Sequence, residues 1–123
     1  MKIEVSNGEI IDKLAIVRIK MERITDKLKL ENLKKEHAVL KKASASIMDE
    51  NDPLYTSLYQ INKELWDIED KIRDFERRKD FGVNFIATAR EVYLKNDRRS
   101  EIKRQINIKT SSGLIEEKSY EKY

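Results

Sequence analysis

Apolar residues recur along most of this chain with steps of three and four, the period of an amphipathic helix. Ile10, Leu14, Val17, Met21, Ile24 and Leu28 keep one face apolar for about five turns, with Asp12, Lys13, Lys20 and Arg23 turned elsewhere. Before them, Ile3-Glu4-Val5 alternates and reads as an extended lead-in over residues 1–8. Ser6-Asn7-Gly8-Glu9 then forms a capping box: the Ser6 hydroxyl can accept the Glu9 amide, and the Glu9 carboxylate can reach back. Val5 and Ile10 stand at the two positions of a hydrophobic staple, so three cues place one helix start. The seam then jumps in phase near Thr25-Asp26 and restarts at Leu30, Leu33, His37, Leu40, Ser44 and Ile47. This predicts a bend or a new helix.

Residues 44–52 are small and polar and predict a loop. Asp52-Pro53 ends it as an N-cap followed by a residue that has no amide to satisfy. The third helix carries the most regular seam, Leu54, Leu58, Ile61, Leu65, Ile68, Ile72 and Phe75. Its core centre is expected at Leu58, Ile61, Leu65, Ile68 and Ile72. Running from 53 to 79 it would be roughly 40 Å long, against a radius of gyration near 14 Å for a compact chain of about this size. The domain is therefore elongated, or the helix packs against a second copy. Asp80-Phe81-Gly82 predicts the start of a fourth helix bearing Phe85, Ile86, Ala89, Val92 and Tyr93. Asn96-Asp97 offers one more N-cap before Ile102 and Ile106, and Gly113 a left-handed end after Thr110. Residues 109–123 form a tail with two aliphatics and two tyrosines, expected to pack back on the body.

These elements predict an all-α fold: one domain over residues 1–123, an elongated helical hairpin or bundle of four to five helices with a long central helix and coiled-coil-like seams. Composition narrows the rest. Charged residues are 40% of the chain, yet 26 Lys and Arg against 23 Asp and Glu leave a net charge of only +3, so folding rather than disorder is expected. The absence of Cys removes disulfides, thiolate metal sites and thiol nucleophiles. No signal-peptide h-region and no membrane-length apolar run occur, so a soluble cytoplasmic protein without a membrane partner is the expectation.

Some strings carry a resemblance. Residues 5–14, read as VSNGEIIDKL, with Glu22-Arg23-Ile24, Leu65-Trp66, Ile68-Glu69-Asp70 and Ile72-Arg73, are one part of it. Asp80-Phe81-Gly82, Phe85-Ile86, Ala89-Arg90, Val92-Tyr93, Asn96-Asp97, Arg99, Ile102-Lys103, Ile106-Asn107 and residues 116–120 (EEKSY) are the other. Together they resemble a family of small bacterial proteins of unknown function, over nearly the whole chain. The resemblance implies a stand-alone protein and brings no activity, catalytic residue or cofactor to these positions.

The candidate chemistry lies in two segments. A polar stripe beside the third helix's seam, Asn62, Trp66, Glu69, Arg73 and Glu76, suits a small polar ligand or, more plainly, an amphipathic flank with a Glu69–Arg73 surface pair. The basic stretch Lys95, Arg98, Arg99, Lys103, Arg104 and Lys109 suits a phosphate-like anion or a solvated face balanced by acids. Arg90 is expected to turn inward with Glu69 first, Glu76 second, or a bound phosphate-like ligand as partner; where Arg90, Arg99 and Lys103 cluster, they would line a positive pocket. The candidate binding set is Asn62, Trp66, Glu69, Arg73, Arg90, Tyr93, Asn96, Arg99, Lys103 and Asn107. Glu64, Asp67 and Asp70 fit only half of a Mg²⁺-binding pattern, and the lone His37 lies on a helix seam, so no metal, cofactor or catalytic set is assigned. A non-enzymatic interaction module forming a homo-oligomer, a dimer or a complex with a protein partner, is the preferred expectation. A small anion- or nucleotide-binding protein, with or without an enzymatic activity, is the alternative. Weak nucleic-acid binding through 95–109 comes third, since the net charge is low and no binding motif occurs.

Overall fold

A computed structural model describes residues 1–119 and 121. It consists of four helices, α1 (Asn7–Arg23), α2 (Lys27–Ser44), α3 (Pro53–Arg77) and α4 (Val83–Lys109), with no strand among the described residues. The chain is all-α. Local signals set most helix ends. Ser6 accepts the Glu9 amide at 3.2 Å, Asp26 accepts that of Lys29 at 3.0 Å, and Asp52 accepts that of Leu54 at 2.9 Å with Pro53 behind it. The phase jump at Thr25-Asp26 is thus a break between helices, and Leu28 lies exposed on α2 rather than on the α1 seam.

α1 is the centre of the fold. It packs on α2 at one side and on both α3 and α4 at the other. It therefore buries Ile11, Ala15 and Ile19 as well as Leu14 and Val17, a wider apolar surface than a single seam. Asp12, expected to face solvent, goes inside with them. The main cluster joins Ile11, Leu14 and Ala15 to Tyr55, Leu58 and Ile61 of α3 and to Ile102 and Ile106 of α4. Leu65 and Ile68 are buried, but Ile72 is only half-buried, so the core centre sits nearer the start of α3 than the seam suggested.

Asn96-Asp97 starts no new helix, because α4 runs unbroken through it. Both residues have modest helix propensity, a few tenths of a kcal/mol to about 0.7 each relative to Ala, and continuous packing of α4 on α3 and α1 outweighs that. Helix α4 ends two residues earlier than Gly113 implied. Ser111, not the glycine, takes φ 53°, the Ser112 amide donates to the Asn107 carbonyl, and the Ser111 amide donates to that of Ile108. The same double closure ends α3 around Lys79, also at φ 53°.

Past the end of α1 the two long helices continue together as an arm. The side-chain bonds from α1 reach α3 between Tyr55 and Asp67, and they reach α4 or its exit between Arg99 and Ser112. Farther out, Phe75 meets Phe85 edge-on at 6.3 Å, and Phe85 meets Phe81 at 5.3 Å. The tail leaves α4 and contacts it again through Glu116 and Glu117, while Leu114 and Ile115 remain exposed. Its tyrosines Tyr120 and Tyr123 lie outside the described residues.

Candidate functional site

The start of α1 is joined to the end of α4. A Cβ on Gly8 would stand 2.5 Å from the Lys103 carbonyl oxygen and 2.9 Å from Asn107 Oδ1, so only glycine permits this approach. The Gly8 amide donates to Asn107 Oδ1 at 2.6 Å, and the Asn7 amide donates to Ser112 Oγ at 3.0 Å. Asn7 Nδ2 adds a bond to Thr110 Oγ1 at 3.0 Å. With Glu9 on Ser6, the first three amides of α1 are held by the protein's own acceptors. A helix start of this kind attracts anions when its amides are open; here they are closed. Asn107 of the candidate set is thereby committed to the junction.

In this first turn of α1 and one turn farther along, the charges are paired across the helices. Glu9 faces Lys103 Nζ at 2.8 Å, and Glu116 of the tail approaches the same ammonium at 3.6 Å. Asp12 is 0% exposed. Arg99 grips it with two bonds, Nε to Oδ1 at 3.0 Å and Nη2 to Oδ2, while Asn62 Nδ2 donates to Oδ1 at 2.8 Å. This fork-shaped pairing is the strong form of a charge-assisted hydrogen bond. The bond to Asp12 raises the Arg99 pKa above its usual value, against the opposite pull of burial. No buried side-chain nitrogen or oxygen among the described residues lacks a partner.

Arg99 also faces outward, its side chain 27% exposed, and two neighbouring clefts meet at it. One, of about 450 Å³ between α3 and α4, brings together Asn62, Trp66, Glu69, Arg73, Asn96 and Arg99. The other, of about 330 Å³ along α4, shares Asn96 and Arg99 and adds Tyr93 and Lys103. The two segments that the sequence singled out thus come together at Asn96 and Arg99. Their charges are partly spent on one another: Glu69 approaches Arg73 at 3.7 Å, Lys95 faces Glu64 at 3.4 Å and Arg104 faces Glu117 at 2.7 Å.

Arg90 does not join them. It lies exposed, its Nε donating to Tyr93 Oη at 3.4 Å, whereas Thr88 and Ala89 of the same turn take the covered side of α4. The expected partners are engaged elsewhere, Glu69 with Arg73 and Glu76 with Lys79. A single positive pocket of Arg90, Arg99 and Lys103 is therefore not formed. Glu64 and Asp67 of the acidic edge pair with Lys95 and Arg23. Among the described residues no group of three or more His, Cys, Asp or Glu could hold a metal ion. Nor, among them, is any helix long and apolar enough to cross a membrane.

Sequence reasoning missed Asp12, the hub of the site. A signal was present: Asp12 follows Ile10-Ile11 and precedes Leu14-Ala15-Ile16-Val17, a stretch apolar on every side. A carboxylate inside such a stretch is buried, and a buried carboxylate needs a paired cation.

The motif beginning at Val5 is now accounted for residue by residue: Ser6 caps, Asn7 and Gly8 join α4, Glu9 and Asp12 hold its cations. No curated protein and no solved structure matches the chain. One family model matches it over residues 1–123, and on that match the chain belongs to the family of unknown function DUF6165.

Proposed function

We propose that this protein is a non-enzymatic helical interaction module that works by self-association through the α3–α4 arm. The observation that carries this reading is the apolar outer side of the arm. Val83 is 82% and Ile86 54% exposed, with Phe81 exposed just before α4 and Leu94 two turns beyond Ile86 on the same side. Contiguous exposed aliphatic and aromatic side chains on a small protein mark an interaction surface. Charge leaves pairing with a second copy open: the α3 half carries Glu69, Asp70, Asp74 and Glu76 against Lys71, Arg73 and Arg77, and the α4 half carries Arg90, Lys95 and Arg98 against Glu91 and Asp97, so the two differ only slightly, in opposite senses. Two arms packed about a twofold axis, α3 of one beside α4 of the other, would build a four-helix arrangement and cover the apolar side. The internal pairing of Arg99, Lys103 and Arg73 fits positioning roles better than chemistry. Sedimentation equilibrium of the full chain tests the proposal. Dimer is expected to grow with concentration, and Ile86→Glu is expected to abolish it with an unchanged helical spectrum. A monomer at every concentration would reject it.

A second reading rests on the two clefts that share Asn96 and Arg99 and gather Trp66, Arg73 and Tyr93. They suit a small phosphate-bearing ligand such as a nucleotide. A thermal-shift screen with inorganic phosphate and nucleotides tests it, since a ligand at about a hundredfold excess over Kd adds about 2.7 kcal/mol. A shift lost in Arg73→Ala and Asn96→Ala supports the site, and a flat screen rejects it. Nucleic-acid binding through residues 95–109 has less in its favour, because Lys95, Arg99, Lys103, Arg104 and Lys109 each face a carboxylate.

A further inference from the structure

Helix α2 is attached differently from the rest. It packs on α1 alone among the helices, and only Leu33 and Ser44 are buried. It carries six lysines and two glutamates, a net +4 that exceeds the whole chain's +3, so the remainder of the protein is slightly acidic. All six lysines are exposed. On α4 the cations Lys95, Arg99, Lys103, Arg104 and Lys109 are neutralised by acids of other segments. On α2 only Lys41 is, by Glu50 at 2.8 Å. Among the described residues Lys27, Lys29, Lys34, Lys35 and Lys42 have no ion pair.

This charge is interleaved with bulky aliphatics. Leu28 is 74% and Val39 70% exposed. They stand about three turns apart, so they share the side of the helix opposite Leu33, together with Lys35 and Lys42 and, at its two margins, the acids Glu31 and Glu36. A helix face of lysines around exposed aliphatics matches the boundary of an anionic bilayer. Aliphatic tips enter among the headgroups, lysine stems lie along the apolar layer, and ammonium groups reach the lipid phosphates and carboxylates. It matches a nucleic acid less well. Helix α2 has no arginine to fork onto bases or phosphates and no Phe, Tyr or Trp for stacking, and its one imidazole, His37, is half-buried away from this face; Leu28 and Val39 would gain nothing against a phosphodiester backbone.

We propose that the outer face of α2 is a docking surface for an anionic lipid membrane, on which the protein lies peripherally. The expectation of no membrane partner rested on the lack of a spanning segment, which is a separate matter from surface docking. The α3–α4 arm takes no part in this contact and stays available for a second copy.

Co-sedimentation of the full chain with vesicles tests the proposal, using phosphatidylcholine alone or with about 30% phosphatidylserine to set the negative surface potential. Binding is expected only to the anionic vesicles, falling steeply as salt rises to about 0.5 M. Each lysine removed is expected to weaken it about fivefold, so Lys35→Glu with Lys42→Glu should weaken it more than tenfold. The pair Leu28→Ser and Val39→Ser should weaken it several-fold at unchanged charge. Arg77→Glu with Arg98→Glu, an equal charge change elsewhere on the surface, should have a much smaller effect. All six positions are exposed, so a helical spectrum checks that each variant folds. Absence of binding to the anionic vesicles at low salt overturns the proposal. So does binding that the α2 reversals leave unchanged. Tighter binding to duplex DNA, indifferent to Leu28→Ser and Val39→Ser, would assign the face to nucleic acid instead and overturn it equally.

Discussion

Replacing Arg99 by alanine isolates the interaction on which three helices meet. Asp12 of α1 is fully enclosed and takes two bonds from Arg99 of α4 and one from Asn62 of α3. Arg99→Ala removes two of those donors and the only positive charge bonded to the carboxylate. Bonds to charged groups contribute about 1.5–3 kcal/mol each, and breaking a buried pair from one side costs about 3–5 kcal/mol. The vacated guanidinium opens toward the cleft beside Asn96, so water can reach Asp12 and return part of the loss. We therefore expect about 3 kcal/mol, the lower end of that range. With about 2.1 cal/mol/K of unfolding entropy per residue, a chain of this length should lose about 12 °C in Tm. Urea unfolding followed by circular dichroism measures the loss, with Arg98→Ala, an exposed neighbour, expected within about 0.5 kcal/mol of wild type. In a cycle with Asp12→Asn, the double variant should cost less than the two single changes added together, because both break the same bonds. Near-wild-type stability for Arg99→Ala, with additive energies, would refute the reasoning.

Other expectations follow from the same contacts. Gly8→Ala should destabilise by about 1–3 kcal/mol or more, since the new methyl meets backbone at Lys103 that cannot step aside; an unchanged Tm would count against the close junction. Lys79→Gly should stabilise by up to about 1 kcal/mol, because glycine holds the left-handed φ without its steric cost; a loss in denaturation midpoint would contradict this. Leu58→Ala should cost about 2–5 kcal/mol and Leu65→Ala less, as Leu65 sits nearer the cleft; equal or inverted losses in urea would place the core centre elsewhere. The Asp52 pKa is lowered by the bond from Lys109 and then by the Leu54 amide. A carboxylate whose folded pKa is depressed adds stability above its unfolded value, near 4, and loses it as the pH falls through the folded value. Nuclear magnetic resonance titration should therefore find Asp52 below the ordinary range, and Lys109→Ala should move it upward; an unmoved midpoint would remove Lys109 as the cause.

Much of the architecture was legible because it depends on neighbours in sequence. A serine or aspartate before a helix satisfies amides two or three residues on, and a phase jump of the apolar seam breaks a helix wherever it occurs. Ser6, Asp26 and Asp52-Pro53 act through such contacts, and the helices begin where those residues stand. The approximate seams of α1 and α3 follow from the same short-range period. What a side chain faces across the fold has no such local cause. The apolar stretch around Asp12 points to its burial, but its carboxylate meets Arg99, far along the chain, only because α1 packs on both α3 and α4. Asn96-Asp97 looks locally like a helix start, but packing on α3 and α1 carries α4 straight through it. Arg90 and Arg99 share one helix and one chemistry. The contact with α1 turns Arg99 into a buried pair, and beyond the reach of α1 Arg90 stays in solvent. The sequence by itself determined where α1, α2 and α3 begin and which residues are available to meet. Tertiary structure alone decided which charges pair across helices, since that pairing depends on distant segments arriving together.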